Sequence, residues 1–229
     1  MIRVTENLAL INDLLALAAV EANRGPTSIR LLAVSKKQPV EKILAAAAAG
    51  QVDFGENFVQ EGLAKMARTR SENLIWHFIG HLQTNKTRVV AENFDWIHTI
   101  DNAKTARRLS DQRPAALGAL NVCLQVNVDN EEGKSGVGVD KLAELAATCA
   151  ELPNLALRGL MCLPAVRTEF DDQRAPFKKL RVLADTLRAR GIALDTLSMG
   201  MSEDYRAAIY EGATIVRLGT AVFGERMSG

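Results

Sequence analysis

The chain is predicted to fold as a (β/α)8 TIM barrel with an extra N-terminal helix, on three observations. Short β-rich runs alternate with longer runs of helical period from end to end. Candidate strands end near Ser35, Phe54, Phe78, Thr99, Val128, Leu160, Met199 and Arg217, and eight is the number that closes such a barrel. Each is followed by turn or polar residues before the next helical pattern begins.

The first helix is expected from about Thr5 to Ala22, with Leu8, Ile11, Leu14, Leu15 and Val20 on one broad apolar face and Gly25 with Pro26 as its stop. It precedes the first strand and so packs on the outside of the barrel. The run Ala45 to Ala49 reads as a helix flank of small side chains lying close to the sheet, closed by Gly50 at the C′ position. Asp140 is placed to cap a helix whose Leu142, Leu145, Ala146 and Cys149 recur at helical spacing, ending before Pro153. Thr168 to Pro176 is either a mobile loop or the start of the long helix through Phe177, Leu180, Leu183 and Leu187 that Gly191 ends.

With 229 residues, 48% of them hydrophobic, there is enough for one sizeable core, and residues 1–229 are expected to form a single domain. The formal charge is +1, from 28 basic and 27 acidic residues, which leaves no long-range field to draw phosphate backbones or anionic lipid. Neither nucleic acid nor membrane is an expected partner. The N-terminal apolar stretch is broken by Asn12 and Asp13, unlike a secretory signal, so the expected address is cytoplasmic. Cys123, Cys149 and Cys162 are odd in number, widely spaced and set in apolar sequence, as reduced core thiols are.

Functional groups of such barrels collect at the C-terminal ends of the strands, and the loops after the last two strands often bind phosphate. Lys36 ends the apolar run Leu31-Leu32-Ala33-Val34-Ser35, so a cation is aimed out of a buried strand toward that mouth. After the seventh strand comes Ser198-Met199-Gly200-Met201-Ser202, and after the eighth Arg217-Leu218-Gly219-Thr220. Each loop pairs glycine, which lets backbone N–H groups approach an anion, with a hydroxyl donor. Either alone is also what an ordinary cap or glycine turn looks like; together they make a phosphate cup, with Ser202 also capping the helix of Ala207 to Ile209. Glu203 and Asp204 should then point away from it.

A strand-end lysine facing a phosphate cup selects a ligand with both a carbonyl and a phosphate, and pyridoxal 5′-phosphate fits. Its aldehyde forms a Schiff base with a lysine amine that must first shed a proton, and a nearby Arg217 favours that loss. Arg217 either pairs with the phosphate, faces the pyridine nitrogen, or makes a surface salt bridge. Gly133-Lys134-Ser135 echoes a nucleotide loop, but Val128 stands where its first glycine belongs. His77 and His81 have zinc-ligand spacing yet flank a strand end, with no carboxylate of the metalloprotease motif between them.

These residues resemble the pyridoxal phosphate homeostasis proteins, single-domain relatives of the barrel of alanine racemase. The likeness covers nearly the whole chain. It rests on Ala33-Val34-Ser35-Lys36, Phe54-Gly55-Glu56-Asn57, Trp76-His77-Phe78-Ile79-Gly80-His81-Leu82-Gln83, Gly133-Lys134-Ser135-Gly136, Ser198 to Asp204 and Val216 to Gly224. The resemblance implies that Lys36 rather than Lys37 is the Schiff-base lysine. It also implies that Asn57 lies beside the cofactor, that Lys134 stands near the mouth, and that Gly200, Met201, Ser202, Arg217, Gly219 and Thr220 surround the phosphate or ring. It implies a carrier in pyridoxal phosphate homeostasis that supplies pyridoxal-phosphate-dependent apoenzymes, and a monomer. The alternatives are an amino-acid racemase, for which neither Tyr205 nor Tyr210 is an obvious second acid/base, or a lyase or other pyridoxal-phosphate-dependent enzyme of that fold type, and a barrel binding a phosphorylated metabolite without covalent chemistry.

Overall fold

A computed structural model describes residues 3–131 and 133–225. The strands are β1 (Arg30–Val34), β2 (Asp53–Glu56), β3 (Ile75–Phe78), β4 (Trp96–Ile100), β5 (Leu120–Gln125), β6 (Leu155–Met161), β7 (Thr196–Ser198) and β8 (Ile215–Leu218). They pair in sequence order, all parallel, and β8 returns to β1, closing the barrel. The helices are α1 (Val4–Glu21), α2 (Val40–Ala48), α3 (Val59–Arg68), α4 (Thr87–Asn93), α5 (Ala103–Gln112), α6 (Leu142–Ala150), α7 (Phe170–Ala189), α8 (Tyr205–Tyr210) and α9 (Thr220–Phe223). The predicted fold class, including the leading helix outside the barrel, is the observed one. Among the described residues no helix is long and apolar enough to cross a membrane.

Side chains alternate along each strand, and the two faces have different chemistry. Outward residues such as Leu31, Phe54, Phe78 and Val216 join the main core against the helices. Inward ones form a small apolar cluster of Trp96, Cys123 and Met161, with Ile75 packed on it, beside a column of buried polar groups: Asp53, His77, His98, Ser198 and Arg217. The three cysteines are free and buried, and burial pushes each thiol up to about 12.

Several local expectations are corrected. On α1, Leu8, Ile11 and Leu15 are buried, but Leu14 and Val20 are 40% and 55% exposed. At 100° per residue Val20 stands about 140° from Leu15, and α1 has neighbours on one side only. The helix ends at Glu21, and Asn23, with φ of 56°, takes the left-handed position assigned to the glycine stop. The cap of α6 falls at Lys141 rather than Asp140, with no side-chain hydrogen bond. Of the two readings of 168–176 the helical one is observed, from Phe170 onward, with Pro176 inside α7. The Ala45–Ala49 reading holds: α2 ends at Ala48 and Gly50 follows with φ of 91°.

Candidate functional site

At the C-terminal ends of the strands lies a cavity of about 630 Å³. Lys36, Asn57, Lys134, Met201, Ser202, Arg217, Gly219 and Thr220 all line it, so eight of the nine residues predicted from sequence share one space. The ninth, Gly200, is a layer behind. Its carbonyl accepts the Arg217 N–H at 3.0 Å, and a Cβ there would stand 2.7 Å from Ala208 Cβ. With φ of 95°, Gly200 lets the loop after β7 turn under α8 and against β8.

Lys36 follows Leu32 and Val34 on the inward parity of β1, and Val34 lines the same cavity. Lys37 is exposed and does not belong to the lining. Across the β1/β8 seam, a Cβ on Gly219 would lie 3.1 Å from the Val34 carbonyl oxygen, so glycine lets the last loop close on the strand that delivers Lys36. Asn57 leaves β2 into the mouth, and its Oδ1 is buried with no hydrogen-bond partner among the described residues. Lys134, on the rim, pairs with Glu131 at 2.5 Å.

Ser202 does not cap α8 as expected; that helix starts at Tyr205 with Asp204 at its N-cap position. Ser202 sits in the turn before it and faces the cavity. Asp204 turns back on its own loop, accepting the Met201 N–H at 2.6 Å, and neither it nor Glu203 lines the mouth. Burial pushes the Asp204 carboxyl upward, against the pull of that N–H and of Arg217. Tyr205 and Tyr210 are also outside the lining: Tyr205 packs on the main core, and Tyr210 lies edge-on to Phe170.

Arg217 is the buried cation of the floor, 5% exposed. Its Nη1 donates to Ser198 Oγ at 3.0 Å and its Nη2 to the Cys162 carbonyl at 2.9 Å. Both acceptors are neutral, so the charge is hydrogen-bonded there without an opposite charge on those two atoms. A surface salt bridge is thereby excluded as its role.

Sequence reasoning missed the groups behind this wall. His77 and His81 do not converge: His77 is inside the barrel, bonded to His98 and Asp53, while His81 is exposed at the mouth. Glu56 and Lys65 form a buried ion pair at 2.7 Å under the turn that carries Lys36. A carboxylate at a strand end and a lysine mid-helix are common surface patterns, and only tertiary contact distinguishes them.

The sequence pattern of the family described as "Alanine racemase, N-terminal domain" matches residues 17–227. The pyridoxal phosphate homeostasis protein of Pseudomonas aeruginosa is 51% identical over 229 residues, covering 100% of this chain and 98% of that protein. The Escherichia coli protein of the same name is 50% identical over 226 residues, covering 97% of each. Among solved structures, PipY of Synechococcus elongatus with pyridoxal phosphate bound superposes with a TM-score of 0.83 at 36% identity, covering 96% of this chain and all of PipY. Alanine racemase of Corynebacterium glutamicum, at 17% identity, shares the fold with a TM-score of 0.70 over 99% of this chain and 62% of its own.

Proposed function

The chain belongs to the alanine racemase N-terminal domain family and, within it, to the pyridoxal phosphate homeostasis proteins, and from that premise we propose that it carries pyridoxal 5′-phosphate as a reversible Schiff base on Lys36. The observation that supports this most is the meeting, in one cavity of about 630 Å³, of a strand-end lysine, two glycine-and-hydroxyl loops, a buried arginine and an unpartnered buried amide oxygen. An aldehyde, a phosphate and a polar ring together use those donors and that one acceptor; a phosphate alone, itself an acceptor, gives the Asn57 amide oxygen no donor.

Lys36 would hold the cofactor, whose aldehyde carbon would supply the electrophile for condensation with the neutral amine and loss of water. The protein's part is placement. Ser202, Gly219 and Thr220 offer hydroxyl and backbone donors to the phosphate, and Gly200 and Met201 shape that loop. Arg217 would meet the ring from the floor, where a guanidinium, having no acceptor atom, would favour an unprotonated ring nitrogen and a weak electron sink. Holding rather than turnover follows from that weak sink and from the position of both tyrosines outside the mouth. Relatives at about half identity carry homeostasis names rather than enzyme names. Delivery to pyridoxal-phosphate-dependent apoenzymes in the cytosol completes the reading.

The test is the visible spectrum of the purified protein, with pyridoxal phosphate added, before and after borohydride, followed by peptide mass mapping. A yellow band lost on reduction, with the pyridoxyl mass on Lys36, is the expected result. Absence of any adduct, or a principal adduct on Lys37, would overturn the assignment.

A further inference from the structure

Four hydrogen bonds connect the mouth to the opposite end of the barrel. Arg217 Nη1 lies 3.0 Å from Ser198 Oγ, Ser198 Oγ 2.7 Å from His98 Nδ1, His98 Nε2 2.9 Å from His77 Nδ1, and His77 Nε2 2.8 Å from Asp53 Oδ1. Asp53 is held in turn by Arg30, whose Nε donates to Oδ2 at 2.7 Å. With both imidazoles neutral, the direction of every bond follows. A carboxylate only accepts, so His77 carries its proton on Nε2 and presents a lone pair at Nδ1. His98 must then donate from Nε2 and accept at Nδ1, which turns the Ser198 O–H toward His98 and leaves Ser198 Oγ to accept from Arg217. Burial holds both imidazoles below their usual range, hence neutral. Trp96 stacks on His77 at 5.4 Å and 11° and fixes its ring plane.

We propose that Asp53, His77, His98 and Ser198 are positioning residues that form a one-way hydrogen-bond relay through the barrel interior and hold Arg217 as a fixed donor at the floor of the mouth. Each member donates toward Asp53, so the serine cannot turn its proton on Arg217 without breaking its bond to His98. The guanidinium is therefore set in one orientation from a carboxylate four bonds away. Only the last step, the effect on a ring facing Arg217, rests on the cofactor reading above.

The experiment uses the full-length 15N-labelled protein, without and with pyridoxal phosphate, and long-range 1H–15N spectra of the histidine rings. Both buried histidines should be neutral with the proton on Nε2. Asp53→Asn should move the ring-nitrogen resonances of His98, two bonds along the relay. Ser198→Ala should leave His98 protonated on Nε2, move the resonance of the Nδ1 that loses its donor, and shift the absorption band of the loaded protein, and Ser198→Thr, which restores the hydroxyl, should recover both. His98 protonated on Nδ1, or His98 resonances unmoved in Asp53→Asn, would overturn the relay; an unshifted band in Ser198→Ala would overturn its last step, the effect on the ring. A protein that takes up no pyridoxal phosphate would overturn the functional reading, while the ring nitrogens still decide the relay.

Discussion

Lys65 Nζ lies 2.7 Å from the carbonyl oxygen of Ser35, the residue immediately before Lys36. It reaches there from α3 and also meets Glu56 and Glu61, each at 2.7 Å. Glu56 Oε1 accepts the Ser35 hydroxyl at 2.6 Å, and Glu61 accepts the N–H of Lys37. Both chain neighbours of Lys36 are thus gripped by side chains beneath them, including Lys37 at φ of 58°, a left-handed conformation that a lysine adopts only when its surroundings impose it.

Removing one member of this grip should cost more than removing two. Lys65→Met leaves the fully buried Glu56 without its cation, and breaking a buried pair from one side costs about 3–5 kcal/mol. Burial already pushes the Glu56 carboxyl upward against the pull of Lys65, so the single variant drives it further toward the neutral form. Lys65→Met combined with Glu56→Gln should recover part of the loss in urea unfolding. A double variant no more stable than the single one would show that packing, not charge, dominates.

Stability should fall as pH drops below about 6.5, the ordinary histidine value. His77 and His98 have folded pKa values lowered by burial, so the folded state binds fewer protons than the unfolded one between the lowered and the ordinary value. Their contribution is fully present above about 6.5 and is lost toward acid, at up to about 1.4 kcal/mol per pH unit for each ring. Glu56 acts with the opposite sign, because its raised pKa costs stability as pH rises past the usual carboxyl range. Comparison with His98→Asn isolates the histidine share: urea midpoints at pH 7, 6 and 5 should show a slope shallower by about one ring's worth. Identical slopes would mean that His98 titrates normally.

The barrel was legible because strand ends and helical periods repeat eight times, and each repeat supports the others. The rim was legible for a related reason: Lys36, Ser202, Gly219 and Thr220 sit at strand-end positions whose parity and turn chemistry can be counted along the chain. The layer beneath was not. His98 stands inside an apolar run, Asp53 begins a strand, and Ser198 precedes a methionine; nothing local distinguishes them from satisfied core or edge residues. Their meaning comes from strands distant in sequence, β2, β3, β4 and β7, facing one axis. Local capping was misread at Asp140 and Ser202 for a smaller reason, since several polar residues precede each helix and only one occupies the turn.

Gly80 should resist substitution for a reason that reaches the mouth. A Cβ there would lie 2.0 Å from the Asn57 carbonyl oxygen, and the Gly80 carbonyl accepts the Thr99 hydroxyl at 2.7 Å. The chain segments that follow β2 and β3 are therefore in backbone contact, and Thr99 ties β4 to them. Gly80→Ala must push Asn57 away, at a cost of about 1–3 kcal/mol in overpacking. A lower melting temperature together with weaker uptake of pyridoxal phosphate is expected. A lower melting temperature with unchanged affinity would remove Asn57 from the binding set.

Ser202 provides the sharpest separation of phosphate from ring. Its hydroxyl lines the cavity and is not engaged in capping α8, so it is available to donate to an anion. A hydrogen bond to a charged group contributes about 1.5–3 kcal/mol, or roughly a 10- to 100-fold change in Kd. Ser202→Ala should therefore weaken pyridoxal phosphate by that factor while leaving pyridoxal, which has the aldehyde and ring but no phosphate, nearly unaffected. Both affinities can be read from the absorbance of the adduct during titration. Equal weakening of the two ligands would place Ser202 against the ring or the Lys36 turn, and the anion would then have to rest on Gly219, Thr220 and Arg217. That alternative carries its own signature: Arg217→Gln would lose phosphate selectivity, whereas an arginine that faces only the ring should instead change the position of the absorption band.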